Sequence, residues 1–153
     1  MSHIMQVHNN RVPSMSIDSI DLAYKIQDIV LAEPQVNIHT DHSIHAGVYT
    51  RTIMIPKGVT IVGALIKIST NLIVNGHVHV FLGDHERELK GYNTLYASAN
   101  RKQAFIAKED TYITMFFATS ATSVEEAEKE FTDDHELLMS NNIDDNTITL
   151  TGE

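Results

Sequence analysis

Residues 36–117 are cut into short runs of β-branched and aromatic residues, and almost every run stops at a turn signal. Val48, Thr50, Thr52, Ile53 and Ile55 end at Pro56-Lys57-Gly58, and residues 59–68 form a second run. Residues 71–74 lead into Asn75-Gly76, the dipeptide with the strongest preference for a two-residue hairpin, so 77–82 is predicted as the returning strand, closed by Gly83-Asp84. Further strands are predicted at 88–89, 94–97, 104–107 and 112–118. Turns at Gly91-Tyr92-Asn93, Asn100-Arg101-Lys102 and Lys108-Glu109-Asp110 separate them. Short strands recurring every ~8–12 residues point to a β-sandwich or a small barrel.

Helical spacing occurs at the two ends of this β region. Ile17, Ile20, Ala23, Tyr24 and Val30-Leu31 recur with the period of one helix face, and Pro34 closes the segment, which predicts a helix over 17–32. Its apolar face suits packing on the core or on a partner subunit. Ser123-Val124-Glu125-Glu126 is a capping box and predicts a helix to about residue 131, with a further turn near 133–139. Residues 1–15 are polar and are expected to be a loose arm, and 1–5 read as a tag remnant. Residues 16–140 are expected to be one domain. The polar, acidic tail 141–153 is expected to be mobile, although 147–150 has the composition of an edge strand.

Composition removes several functions. At 153 residues and 42% hydrophobic content the chain is large enough to bury a core of its own. It carries 20 acidic against 11 basic side chains, a formal charge of -9, so phosphate backbones are repelled and sequence-independent nucleic-acid binding is not expected. With no cysteine there is no disulfide, zinc ribbon or thiol nucleophile. No apolar run approaches the roughly 20 residues that span a bilayer, and the first residues lack the apolar core of a signal peptide.

Two stretches carry a resemblance. EPQVNIHTDHSIHAGVYTRTIMIPKGVTIVG (33–63) is similar to the opening of a family of small cupin-like proteins encoded by bacteriophages. In that family Pro-Gln-Val leads through a histidine-containing loop to Gly-Val-Tyr and Ile-Pro-x-Gly. NRKQAFIAKEDTYITMFFAT (100–119) resembles the family's later segment, and the Ser-Val-Glu-Glu-Ala-Glu helix fits its acidic C-terminal helix. The resemblance spans about 33–138. It implies a mostly-β, cupin-like double-stranded β-helix barrel with an N-terminal and a C-terminal α-helix, assembled as a homo-oligomer. It places the protein in the host cytoplasm during infection or in the virion, and implies little about activity.

That resemblance also frames the histidines. Metal-binding cupins carry His-x-His and a glutamate before a tight turn, with a third histidine on a later strand. Here residues 64–71, ahead of Asn75-Gly76, contain neither histidine nor acid, and Lys108 and Phe117 stand where relatives place histidines. The inherited metal centre is therefore expected to be lost. His77 and His79 share a strand face opposite the apolar Val78, Val80 and Leu82, so they are expected to point outward, to solvent or a subunit contact. His39, His42 and His45, with Asp41 between them, could wrap an ion if their loop is ordered; loop structure and capping of a sheet edge is the plainer reading.

Other chemistry is thin. The glycines are isolated, so no phosphate loop is present, and no nucleophile elbow occurs. Glu86 and Glu88 share a strand face and could act as acid and base, although solvated charge is the plainer reading. Lys67, Arg101, Lys102 and Lys108 fall near strand ends, where they could form an anion pocket at a barrel mouth with Tyr92 or Tyr96 stacking on a base. These residues predict a non-catalytic module, needing no cofactor, that binds a small anionic, nucleotide-like ligand; the phage origin that the resemblance implies gives such a module the role of sequestering a host defence signal. The alternatives are a structural, virion-associated oligomer and a metal-dependent cupin enzyme.

Overall fold

The structure, a computed structural model, describes residues 10–82, 85–138 and 145–153. Nine strands are built into one continuous sheet system: β1 (Arg11–Val12), β2 (Thr40–His45), β3 (Val48–Ile55), β4 (Thr60–Val62), β5 (Thr70–Phe81), β6 (Glu86–Ala97), β7 (Ala104–Ala107), β8 (Thr111–Ala118) and β9 (Asn146–Leu150). The main path runs β1-β6-β5-β8-β3-β2-β9, and β7 joins β5 to β4.

β5 turns this ribbon into a barrel. Its first half pairs with β8, from Asn71 opposite Phe116 to Asn75 opposite Tyr112. Its second half pairs with β7, from Val78 opposite Ala107 to Phe81 opposite Ala104. β6 follows β5 along its whole length. One strand thus serves both walls, and the change of partner falls at Gly76.

Asn75-Gly76 is therefore not a hairpin. Gly76 has φ of 149°, and a Cβ built on it would lie 2.5 Å from the Thr111 Oγ1 and 2.8 Å from the Asp110 carbonyl oxygen. Glycine is needed here so that two backbones can approach closely. Thr111 fastens the crossing: its hydroxyl donates to the His77 carbonyl at 3.1 Å, and the His77 amide lies 3.1 Å from the same oxygen. The turn expected at 91–93 is likewise absent. β6 runs through it, with Gly91 at φ 73° absorbing the irregularity.

Inward and outward residues alternate as strand geometry requires. In β8, Thr111, Ile113, Met115 and Phe117 are buried, whereas Tyr112 and Ala118 are exposed. Burying side chains of this size contributes roughly 1.5–3 kcal/mol each. The core also takes Leu72, Val74, Val78 and Val80 from β5, Leu89 and Leu95 from β6, and Phe105 from β7.

Helix α1 (Ile17–Leu31) begins at Ser16, whose hydroxyl accepts from the Ser19 amide. Helix α2 (Val124–Phe131) begins at Ser123, which accepts from the Glu126 amide at 3.2 Å; Glu126 reaches back to the Thr122 amide, one residue before the cap. Phe131 closes α2 onto the core, its ring 6.3 Å from Tyr49 and 6.1 Å from Phe117. A 3₁₀ turn follows at His135–Leu137.

Both ends of the described chain join the sheet. Where a loose arm is expected, β1 pairs in parallel with β6 and buries Val12; residues 1–9 lie outside the described residues. In the acidic tail, β9 pairs in parallel with β2 from Asn146 to Leu150 and forms the edge, while 141–144 lie outside the described residues.

Candidate functional site

A cavity of about 390 Å³ lies between the walls. Its sides are apolar: Ile53 from β3, Ile61 from β4, Leu72 from β5, Phe105 from β7, and Ile113 and Met115 from β8. Gln27, Val30 and Leu31 of α1, together with Phe131, Asp134, Leu137 and Leu138, also line it. Residues from both walls reach one space because β5 belongs to both.

Polar groups of the wall include Thr40 of β2, Arg51 of β3, Thr60 of β4, residues 101–103 and Asp134. The Arg51 Nη1 donates to the Glu128 carboxylate at 3.0 Å, and its guanidinium carbon stands 5.6 Å above the Phe131 ring. Lys102 donates to the Gly63 carbonyl at 2.8 Å and lies 4.2 Å above the Tyr24 ring; burial lowers its pKa. Tyr24 in turn donates to Asp134 at 2.7 Å, and burial together with that bond pushes its pKa up to about 12.

Arg101 is 1% exposed. Its Nη1 donates to the Ile68 and Ser98 carbonyls at 3.2 and 2.7 Å, and its Nη2 to the Thr70 hydroxyl at 2.5 Å. Burial lowers its pKa to about 10, which leaves it charged at neutral pH. Three buried polar atoms have no partner among the described residues: the Arg101 Nε, the Gln103 Nε2 and the Thr40 Oγ1. All three residues belong to the wall of this cavity.

The predicted anion pocket is not assembled. Arg101 and Lys102 line the cavity, but their charged ends are held by carbonyl groups. Lys67 pairs with Asp133 at 2.7 Å, Lys108 is exposed on the turn between β7 and β8, and Tyr92 and Tyr96 stand on the outer face of β6. A strand end in the sequence does not say which barrel end it occupies. Thr40 and Gln103 carried no sequence signal, since an isolated threonine and a Lys-Gln pair after Asn100 read as loop chemistry.

His39, His42 and His45 do not converge. Each contacts a different residue of the C-terminal segment: the His39 Nε2 lies 2.8 Å from the Thr147 Oγ1, the His42 Nε2 2.6 Å from the Asn146 Oδ1, and the His45 Nδ1 2.8 Å from the Thr151 Oγ1. The other nitrogen of His42 is 2.7 Å from the Tyr49 hydroxyl. Among the described residues no group of three His, Asp or Glu side chains is arranged to hold a metal ion. The triplet clasps β9 to β2, a role close to the sheet-edge reading.

Burial lowers the His42 pKa below its ordinary 6.5, and Arg51 adds to the effect, against the raising effect of the hydrogen bond that His42 donates to the Asn146 Oδ1. A histidine with a depressed folded pKa binds fewer protons folded than unfolded, so its stabilising share is complete above pH 6.5 and is lost as pH falls below it. The urea midpoint is expected to drop between pH 7.5 and pH 5.5 (about one unit either side of the unfolded value), with β9 amides losing exchange protection first. His42→Asn should flatten the profile; an unchanged slope would remove His42 from the explanation.

His77 and His79 point away from the core, opposite the buried Val78 and Val80. The His77 Nε2 lies 2.5 Å from the Glu88 Oε1, and the His79 Nε2 lies 3.8 Å from its other oxygen. That hydrogen bond from His77 holds the Glu88 carboxyl below its usual range. Glu88 is thus tied to histidines and is not paired with Glu86.

No protein-family model matches the sequence, and no curated protein matches it. Solved structures resemble parts of it. A cupin superfamily protein from Desulfitobacterium hafniense aligns over 57% of this chain and 84% of its own, at 14% identity and a TM-score of 0.44. A cupin-2 domain containing protein from Shewanella frigidimarina aligns over 61% and 91%, at 12% identity and 0.42. KdgF from Halomonas sp. aligns over 58% and 86%, at 15% identity and 0.46. Among the described residues no helix is long and apolar enough to cross a membrane.

Proposed function

We propose that this chain is a cupin-like barrel that binds a small, largely apolar molecule in its lumen without transforming it. The observation that carries this reading is the cavity of about 390 Å³, apolar on most sides, with three unpartnered buried polar groups in the residues of its wall. Its volume falls in the ~300–1,000 Å³ range of small-molecule sites. Two of the three groups, the Arg101 Nε and the Gln103 Nε2, are donors. A ligand with an apolar body and one carbonyl or carboxylate end would supply the acceptor that both donors lack. The other ionisable groups of the wall, Arg51, Lys102 and Asp134, already hold partners, which favours binding over proton transfer.

This reading is preferred to the nucleotide-like ligand because, among the described residues, the cations of the cavity wall, Arg51, Arg101 and Lys102, already donate to protein oxygens. A part in infection or in the virion rests on the sequence resemblance. Calorimetry with decanoate, 4-phenylbutyrate and AMP tests the ligand class. Met115→Trp, which fills the lumen, is expected to weaken carboxylate binding about tenfold or more, and Gln103→Leu to weaken it with the cavity left open. Tight AMP binding indifferent to Met115→Trp would overturn the proposal.

A second reading, an oligomeric interaction protein, is favoured by the exposed Ile17, Ile29 and Leu31 of α1. Light scattering at micromolar concentration checks it: self-association is expected, and Ile29→Glu should abolish it.

A further inference from the structure

The outer face of the wall formed by β6, β5, β8 and β3 carries aromatic, amide and hydroxyl side chains. Strand register sets three rows across it. Asn75 stands between Tyr92 and Tyr112; Ile73 stands between Thr94 and Thr114; Asn71 stands between Tyr96 and Phe116. The Thr114 hydroxyl continues the middle row to Thr52, 2.9 Å away on β3. Tyr92, Tyr112 and Tyr96 are 66%, 54% and 44% exposed.

In a chain of net charge -9, no charged side chain stands in these three rows on β6, β5 and β8. Rings two strands apart are about 10 Å from one another, and rings four residues apart on one strand about 13 Å. The Tyr96 end opens into a polar cleft of about 270 Å³, lined among others by Arg11, Ser69, Asn71 and Ser98. A sheet face of rings interleaved with amides and hydroxyls thus ends in a polar cleft.

We infer that this face binds a neutral carbohydrate chain. A pyranose has an apolar C–H face that lies flat on an aromatic ring and an edge of hydroxyls that needs amide and hydroxyl partners. Rings alternating with Asn and Thr offer both at once. The three rows carry no charge on β6, β5 and β8 and one cation, Arg11, beside Tyr96 at their edge. This matches a neutral chain and disfavours nucleic acid, which needs a basic surface. A peptide adding a strand needs a free sheet edge, and this is a face. The cleft takes the terminal sugar, with Arg11 and Asn71 on its hydroxyls. This site is separate from the lumen and stands or falls independently of it.

Native gels of the full chain, cast with soluble xylan, laminarin, hydroxyethyl cellulose or starch, test the inference. Retardation is expected by at least one of the four and not by polygalacturonate or heparin. Tyr92→Ala and Tyr112→Ala should each weaken it by about tenfold, the scale of one lost stacking contact, whereas Tyr92→Phe should retain it and Met115→Trp should leave it unchanged. Because Tyr92 and Tyr112 are exposed, circular dichroism should show both alanine variants folded. No retardation by any of the four would overturn the inference. So would retardation indifferent to both alanine variants, or a dimer that Tyr92→Ala dissociates while glycan binding stays unchanged, since the face would then be a contact between copies.

Discussion

Replacing Gly76 by alanine is expected to destabilise the fold by roughly 3–5 kcal/mol, combining the cost of a non-glycine residue at positive φ with overpacking. The added methyl would meet the Thr111 hydroxyl at 2.5 Å, the Thr111 Cα at 2.7 Å and the Asp110 carbonyl at 2.8 Å. Two of those atoms are backbone, so no rotamer change relieves the contact. The crossing strands must separate, and with them the point where β5 passes from one wall to the other. Against a typical stability of about 5–15 kcal/mol, that is a large share of the total.

Gly58→Ala is the control. Gly58 also has positive φ, 83°, but nothing lies within 4 Å of the position a Cβ would take. It should cost only about 1 kcal/mol, the conformational part alone. Urea unfolding followed by circular dichroism measures both. If the two variants lose the same stability, close packing at Gly76 is not what the glycine is for.

Gly76 also shows where the sequence could be read and where it could not. The alternation of Ile113, Met115 and Phe117 with Tyr112, Thr114 and Phe116 announces a half-buried strand, because period-two patterning is written locally. The helix at Ile17–Leu31 is legible for the same reason, in its periodic apolar residues and in Pro34 beyond its end. Asn75-Gly76 misled because a hairpin glycine and a close-approach glycine look alike in one dimension. They differ in what lies opposite, and here that is Thr111, 35 positions away in the chain.

The site obeys the same logic. The outward direction of His77 and His79 follows from the neighbours Val78 and Val80, so it could be read. The partners of His39, His42 and His45 could not, because β9 lies about a hundred residues further on and joins β2 in parallel. Lys67, Arg101, Lys102 and Lys108 share a charge and a position near strand ends, and neither says which end of a barrel a residue reaches. Thr40 and Gln103 became visible as site residues only when burial showed their polar atoms unpartnered.

Arg101 gives the second large effect, and two opposing terms decide its sign. Its guanidinium is buried with no carboxylate in contact among the described residues, and burial alone lowers its pKa to about 10. Desolvation therefore works against the charge, and removing an isolated buried charge can stabilise a protein. On the other side, the fork supplies the Ile68 and Ser98 carbonyls and the Thr70 hydroxyl, joining the entry to β5 with the segment that follows β6. Each acceptor left buried without a donor costs about 1–3 kcal/mol. Three acceptors against one partly relieved desolvation make the loss dominate, so Arg101→Met is expected to destabilise by about 2–4 kcal/mol. Arg101→Lys should recover less than half of that, because a single ammonium cannot reach three acceptors that a planar fork spans. Urea midpoints of the two variants decide the matter. A Met variant as stable as the parent would mean that the desolvation cost equals the whole network, and Arg101 would then be held at the cavity wall for its ligand and not for the fold.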